Sequence, residues 1–449
     1  MSLMKLTHDT KNQLEFNEQF TRAYDALEGT ADNVFVTGRA GTGKSTLLQF
    51  FRDNTQKNIA VLSPTGVSAV NIKGQTIHSF FRFKPDITPD GVFAVRIRKT
   101  NRLMYEKLDA IVIDEISMVR ADLLDCIDMF LRRFGKHKAI PFGGVQMIFF
   151  GDLYQLPPVV RRQEMDIFSK TYKSPYFFDA KSFEFLHIKM IELHKIYRQK
   201  EEDFVRLLGR IRNKTLDTEQ LKILNQRYMP QFMPNDKDFF IYLTTTNALA
   251  DRINSSQLQR IKDDSFFCEG ITAGDFESNA LPTHSLLELR IGAQVMLLNN
   301  DPGGRWVNGS IGKITFINSY GLGTEPIEVE LSNGETVEVT PFTWEMFKFS
   351  YNEDTESLES ESVGSFKQYP MRLAWAVTIH KAQGKTFSKV VLDIGTGAFS
   401  HGQIYVALSR CTTFGGLILK KPIRHHDVML DSRIVDFMND LRREQEVIC

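Results

Sequence analysis

Gly38-Arg-Ala-Gly-Thr-Gly43-Lys44-Ser45 fits the spacing GxxxxGK[ST], a pattern whose residue types suit phosphate chemistry. Glycines there let successive backbone N–H groups turn toward phosphate oxygens. The helix that follows adds the favourable end of its dipole. Lys44 can reach the β- and γ-phosphates, and the Ser45 hydroxyl can ligate magnesium. Gly38, Ala40, Gly41, Thr42, Gly43, Lys44, Ser45 and Thr46 are therefore the expected cradle for ATP. A tight turn between strand and helix is the plain alternative. The apolar run Val34–Thr37 before the motif and the helical run Ser45–Phe51 after it are the context that phosphate binding requires.

A second apolar run, Ala110–Ile113, ends in Asp114-Glu115. Many buried strands end in acids, so this pair gains meaning only downstream of the first motif. Asp114 would hold magnesium directly or through water, and Glu115 would orient and activate the attacking water. Magnesium suits such sparse carboxylate ligation because phosphates and waters complete its shell. A third run, Gln146–Phe150, leads into Gly151-Asp-Leu-Tyr-Gln155-Leu-Pro-Pro158. Gln155 at the end of a core strand can touch the γ-phosphate and report its loss; a turn stopped by the prolines is the simpler reading. Arg198, in Leu193-His-Lys-Ile-Tyr-Arg198-Gln199, and Arg410, in Tyr405-Val-Ala-Leu-Ser-Arg410, could complete the site. Arginines that neutralise a transferring phosphoryl group are worth roughly 10³–10⁵ in rate.

These motifs need strands to hold them. Apolar runs at 34–37, 59–62, 110–113 and 146–150 alternate with helical stretches, beginning with Gln13–Leu27. That alternation predicts an α/β fold with a parallel sheet. The basic, aromatic segment Phe81–Tyr105 interrupts it and reads as a small insertion. A second alternating region starts near Ile188, includes Ile241–Thr246, and resumes at Val390–Ile394 and Leu417–Lys420. Between its halves, over 263–366, short runs at 293–298, 313–317, 327–331 and 336–340 are separated by Gly, Asn and Pro, which suggests an inserted β-barrel.

With 449 residues, 42% hydrophobic and 24% charged, the chain can bury more than one core. Its formal net charge of zero argues against a wholly basic surface but leaves room for a local groove. Basic runs at Arg96–Lys107 and Arg132–Lys138 and an acidic run at Glu353–Glu361 read as solvated faces. Cys126, Cys268, Cys411 and Cys449 form no CxxC pair, so neither a zinc site nor a disulfide framework is expected. No signal-peptide core and no apolar span of membrane length occurs, which points to an intracellular protein.

The order and spacing of the motifs resemble superfamily-one DNA helicases of the petite-integration-frequency (PIF) branch, relatives of RecD-type helicases. The resemblance rests on the motifs above together with Leu62-Ser-Pro-Thr65-Gly66, Gln75-Thr-Ile-His78-Ser-Phe80, Val307-Asn308-Gly309 and Ala376-Val-Thr-Ile-His380-Lys-Ala-Gln383-Gly384-Lys-Thr386. It spans about residues 12 to 420. Glu115–Asp125 resembles the stretch that separates the PIF branch from its relatives.

The resemblance implies two RecA-like domains with ATP between them. The first is 1–80 and 106–187, with 81–105 as its insertion. The second is 188–262 and 367–449, with 263–366 as an SH3-like insertion. Gln19 would read the adenine edge, and Gly384 would join the nucleotide site. Thr65, His78, Phe80, Asn308, His380, Lys381 and Thr386 are the expected DNA contacts. Phe80 and nearby aromatics would stack bases, worth about 1–3 kcal/mol each, comparable to the roughly 1.4 kcal/mol of a duplex step. The insertion 81–105 would carry the wedge.

The implied activity is 5′→3′ movement on single-stranded DNA, with opening of tailed duplex and G-quadruplex DNA in genome maintenance. A monomer is expected, without a membrane partner, in the cytoplasm or nucleoid of a bacterium or the nucleus or mitochondrion of a eukaryote. The alternatives are a RecD-like subunit needing a nuclease partner, a non-motor enzyme such as a small-molecule kinase, and a DNA-binding scaffold with a silent ATP site.

Overall fold

The computed structural model describes residues 17–448 apart from 161, 236, 319–322 and 396. The apolar runs become strands β1 (Asn33–Gly38), β2 (Ile59–Ser63), β4 (Ala110–Ile113) and β5 (Gln146–Gly151), joined by the short β3 (Gln75–Thr76) and by β6 (Ile188–Leu193). They form one parallel sheet in the order β3-β2-β4-β5-β1-β6. Strands β2, β4 and β5 are buried along their whole length, as continuous apolar runs in a helix-covered parallel sheet must be. Because β4, β5 and β1 are neighbours, the loops that leave them open side by side at one edge, where ligands of such sheets bind.

The first helix spans Glu18–Gly29 and is capped by Asn17, whose Oδ1 accepts from the Phe20 amide at 2.8 Å. The helix expected from Gln13 therefore begins at Glu18, and 13–16 lie outside the described residues. A second parallel sheet has the order Ala376–Thr378, β7 (Ile241–Thr244), Val390–Asp393, Leu417–Leu419.

Two expected boundaries shift. Strand β6, assigned from the sequence to the second region, pairs with β1 from Asn33↔Ile188 to Gly38↔Leu193. Periodicity locates a strand but does not say which sheet it joins. The C-terminal helix Ser432–Ile448, also assigned to the second region, returns to the first domain. There Arg442 pairs with Glu192 of β6 at 3.0 Å, and the Phe437 ring stacks on Phe178 at 4.3 Å.

The segment 81–105 is less of a free insertion than its composition suggests. Phe83, Val92, Met104 and Tyr105 are buried in the core of the first domain. Arg133 donates to the carbonyls of Val92 and Phe93 at 3.0 and 2.8 Å, and Arg132 pairs with Asp128 at 2.8 Å. Two arginines of the second basic run thus serve the fold.

The region expected as a barrel, 263–366, supplies four strands of an antiparallel sheet in the order Thr336–Val339, Ile327–Leu331, Ile311–Ile317, Gln294–Leu297, which Met371–Leu373 completes from beyond the expected boundary. Beside it runs a long hairpin, Phe342–Asn352 and Ser357–Gln368, with the acidic run at its turn and on the returning strand. The hairpin reaches the first domain. The Leu358 amide donates to Asn58 Oδ1 at 2.8 Å, the Phe349 ring meets the edge of Phe80 at 5.9 Å, and Lys107 lies over the Tyr351 ring at 5.9 Å.

The helix Ala121–Phe134 holds this half of the core. Phe130 is fully buried, with rings of Tyr105 at 4.8 Å, Phe81 at 5.1 Å and Phe83 at 5.7 Å around it. Phe130→Ala is expected to destabilise the first domain by about 3–5 kcal/mol. Denaturant unfolding followed by tryptophan-independent circular dichroism would measure it, and a loss below about 1 kcal/mol would contradict this packing.

Candidate active site

The loop after β1 is held by close contact with the residues that follow β6. Gly41 has φ +82°, and a Cβ there would lie 2.5 Å from Arg198 Cβ, so only glycine lets Arg198 come this near. The Tyr197 amide donates to Gly41 O at 2.9 Å. Thr42 Oγ1 donates to Arg39 O at 2.9 Å, and Lys44 Nζ donates to the carbonyls of Gly38 and Arg39 at 2.8 and 3.1 Å. Gly43, also at positive φ, caps the helix Lys44–Asn54, whose first turn presents Ser45 and Thr46. Gln19 sits at the flank of this loop, where its Oε1 accepts from the His194 amide at 3.0 Å. Asn17 Nδ2 donates to the Tyr197 hydroxyl at 3.1 Å.

Asp114 and Glu115 follow β4 directly. Glu115 adopts φ +51°, a left-handed backbone that costs energy for a side chain of this kind. Burial raises its carboxyl above the usual range, while Lys44, Arg410 and Gln383 pull the other way. Gln383 Nε2, from the second domain, donates to Glu115 Oε2 at 3.0 Å. Burial and the neighbouring Glu115 push Asp114 up to about 7, opposed by Lys44. Burial lowers Lys44 itself. A positive group and two carboxyls are thus compressed into one desolvated corner.

The third motif is gripped by a network that the sequence did not disclose. Arg212 and Asp152 form an ion pair at 3.0 Å with 3% and 0% of their side chains exposed. The Arg212 guanidinium lies 3.7 Å over the Tyr154 ring. The Tyr405 hydroxyl donates to Asp152 Oδ2 at 3.4 Å and accepts from the Ala40 amide at 3.1 Å, so one phenol links the phosphate loop to the second domain. Gln155 is buried and donates to Asp152 at 3.3 Å. Gly402 packs against the carbonyls of Tyr154 and Gln155, where a Cβ would stand 2.5 and 2.4 Å away. Arg212 sits in an amphipathic helix, Glu202–Arg212, and nothing in its spacing separates it from surface arginines.

Arg198 and Arg410 both reach this corner. Arg198 donates to Gly384 O at 3.2 Å and Ser409 O at 3.4 Å. Arg410, 1% exposed, donates to Val406 O at 2.9 Å, Lys385 O at 3.3 Å and Ser409 Oγ at 2.8 Å. Burial and the nearby Arg198 pull it down to about 9. The expected nucleotide residues therefore gather at the edge of the first sheet, facing the second domain.

The expected DNA residues are distributed over three places. Thr65 caps the helix Gly66–Asn71, and its Oγ1 donates to Ser68 Oγ at 2.9 Å. A Cβ on Gly66 would lie 2.5 Å from Ala280 Cβ, so the inserted region covers this turn. His78 and His380 are half-buried, and burial lowers both, which favours neutral N–H donors. Lys381 is lowered by burial and by Arg372. Thr386 is exposed. Asn308 accepts from Lys385 Nζ at 2.6 Å, and burial brings Lys385 down to about 8. Lys385 and Gln383 lie inside the segment Ala376–Thr386, and nothing in its spacing separates them from its other polar residues. Phe80 departs from the expected base platform: it is 3% exposed, in edge contact with Phe81 at 4.9 Å and Tyr105 at 5.4 Å. Its faces are occupied by protein and leave no platform for a base.

Removing one partner of a buried ion pair strands the other charge. Arg212→Met is expected to lower stability by about 3–5 kcal/mol, read as a fall in denaturation midpoint. Arg212 holds the Asp152 carboxyl below its ordinary value despite burial. Its contribution is present at neutral pH and is lost as pH falls through the depressed folded-state value. An acid-unfolding profile unchanged by Arg212→Met would contradict the pairing.

Residues 10–222 match the PIF1-like helicase family. The chain is 31% identical over 418 residues to the ATP-dependent DNA helicase Pif1 of Bdellovibrio bacteriovorus, covering 91% of this chain and 88% of that protein. It is 32% identical to human ATP-dependent DNA helicase PIF1, covering 97% of this chain and 65% of that longer protein. The structure of Bacteroides sp. Pif1 in complex with ADP-AlF4 superposes with TM-score 0.88 at 34% identity, over 96% of this chain and 98% of that one. Bacteroides Pif1 bound to single-stranded DNA superposes with TM-score 0.68 at 34% identity, over 96% and 98%. With the phosphate loop, the paired carboxyls and two parallel-sheet domains in place, the chain belongs to the PIF1-like helicase family.

Proposed function

We propose that this chain is an ATP-dependent DNA helicase that moves 5′→3′ along single-stranded DNA and opens tailed duplexes. The observation that carries the reading is the position of the phosphate loop: Arg198 lies against Gly41, and Tyr405 of the second domain bonds Ala40. ATP bound there meets both domains, so its binding and hydrolysis change how they fit together.

Lys44 holds the β- and γ-phosphates, and Glu115 orients the attacking water. Arg198 and Arg410 stabilise charge on the phosphoryl group once they exchange carbonyl partners for phosphate oxygens. Gln19 reads the adenine edge, and Gln155, joined to Asp152, reports loss of the γ-phosphate. Asp114 and Ser45 fit magnesium: a buried carboxyl held near neutrality beside a second one is the kind of group a hard cation stabilises. When bound, magnesium supplies neutralisation of the phosphate charge.

Thr65, His78, Asn308, His380, Lys381 and Thr386 contact DNA phosphates and sugars, which position the strand without reading its sequence. Phe93, 62% exposed within the 81–105 segment, is the aromatic side chain available there for a wedge. The antiparallel sheet acts as the family's SH3-like module over the DNA. G-quadruplex opening, genome maintenance and a monomeric state complete the reading.

Two matched duplexes, one with a 5′ and one with a 3′ single-stranded tail, test it with Lys44→Ala as control. Opening of the 5′-tailed duplex alone, abolished in Lys44→Ala, is the expected outcome. Opening of the 3′-tailed duplex alone would overturn the polarity, and opening of neither would overturn the motor. Arg410→Ala is expected to keep ATP binding and lose roughly 10³-fold or more in turnover; a normal rate would remove Arg410 from the chemistry.

A further inference from the structure

The turn that follows strand Ala376–Thr378 faces two ways. It is wound by the bonds Ala382 N to Thr378 O at 3.0 Å, Gln383 N to His380 O at 3.1 Å and Lys385 N to Ala382 O at 3.0 Å. His380, Lys381 and Thr386 of this segment are read above as DNA contacts. From the same turn, Gln383 sends its amide across the domain boundary to Glu115 Oε2 at 3.0 Å. The carbonyls of Gly384 and Lys385 accept from Arg198 and Arg410 at 3.2 and 3.3 Å. Lys385 Nζ ties the turn to Asn308 of the insertion at 2.6 Å. One short segment therefore touches the water-activating carboxylate, both arginines and the DNA side.

The Gln383 bond constrains the group assigned to activate water. A carboxylate that must turn toward an attacking water is held in one orientation while its Oε2 accepts a donated N–H. The bond also fixes Glu115 from outside its own domain, so movement of the turn moves the carboxylate's partner. We propose that Gln383 is a positioning residue that restrains Glu115 while no DNA is bound, and that DNA phosphates on His380, Lys381 and Thr386 draw the turn away and release it. DNA stimulation of ATP hydrolysis is then removal of an inhibitory hydrogen bond. This rests on the helicase reading above.

Gln383→Met keeps the length and packing of the side chain and removes the donor; Gln383→Ala removes the donor together with the side chain. ATP turnover is measured without DNA and with saturating oligo-dT, alongside anisotropy of labelled oligo-dT without nucleotide. The DNA-free kcat of both variants is expected to rise about tenfold, equal to roughly 1.4 kcal/mol of barrier. The DNA-saturated kcat, the KM for ATP and the oligo-dT affinity are expected to stay within about twofold, since only the restraint is lost. A role in packing, or in holding Glu115 productively, lowers both rates together, and that result would overturn the proposal. So would an unchanged ratio of the two rates. A wild-type enzyme without DNA stimulation would overturn the helicase reading and this inference with it, whereas stimulated wild type with an unaltered variant ratio would overturn this inference alone.

Discussion

Asp152 leaves the end of β5 with no part of its side chain in water, and it stays charged because Arg212 meets it there at 3.0 Å. Desolvating two ions is expensive, and a pair of this kind persists only when further hydrogen bonds complete it. Gln155 and Tyr405 do so for Asp152, while the Tyr154 ring covers the Arg212 guanidinium, whose Nε is buried without a hydrogen-bond partner. The result is a polar knot at the meeting point of two apolar sheets. Through it, the end of β5, the phosphate loop and the helix Gln403–Leu408 share one set of contacts. A change in the phosphate loop therefore cannot stay within the first domain.

Charge elsewhere is arranged on the same local scale. A formal net charge of zero hides a corner where Lys44, Asp114, Glu115 and Arg410 are all held away from their ordinary protonation behaviour by burial. Burial biases His78 and His380 toward the neutral form, so in the role proposed for them they would meet phosphate by directional hydrogen bonding rather than net charge.

Most strands of the two parallel sheets were legible because continuous β-branched and aromatic runs bounded by turn residues have few other solutions; Ala110–Ile113 falls where expected, as does Ile327–Leu331 of the antiparallel sheet, whereas the short strands Gln75–Thr76 and Ala376–Thr378 lack such a run. The phosphate loop was legible because its chemistry is local in sequence. What escaped was long-range. β6 and the C-terminal helix look the same in sequence whichever domain they join. The partnership of Arg212 with Asp152 spans 60 positions. Phe80 illustrates the opposite error: its motif suggested a base platform, but an aromatic between Phe81 and Tyr105 is core first. The acidic stretch near Glu353 did prove exposed, yet its composition gave no hint that the hairpin carrying it spans to another domain.

The return of the C-terminal helix has a mechanical meaning. The chain leaves the first domain just after β6 and, some 240 residues later, comes back to lie on β6. Both covalent connections between the lobes are therefore fastened along the same edge strand, like two hinge plates on one door stile. Such a mounting allows swing about an axis beside β6 and resists twist across it. The stile is also the immediate neighbour of β1. Any turning of the lobes on this mounting would thus pivot one strand away from the loop that begins at Gly38.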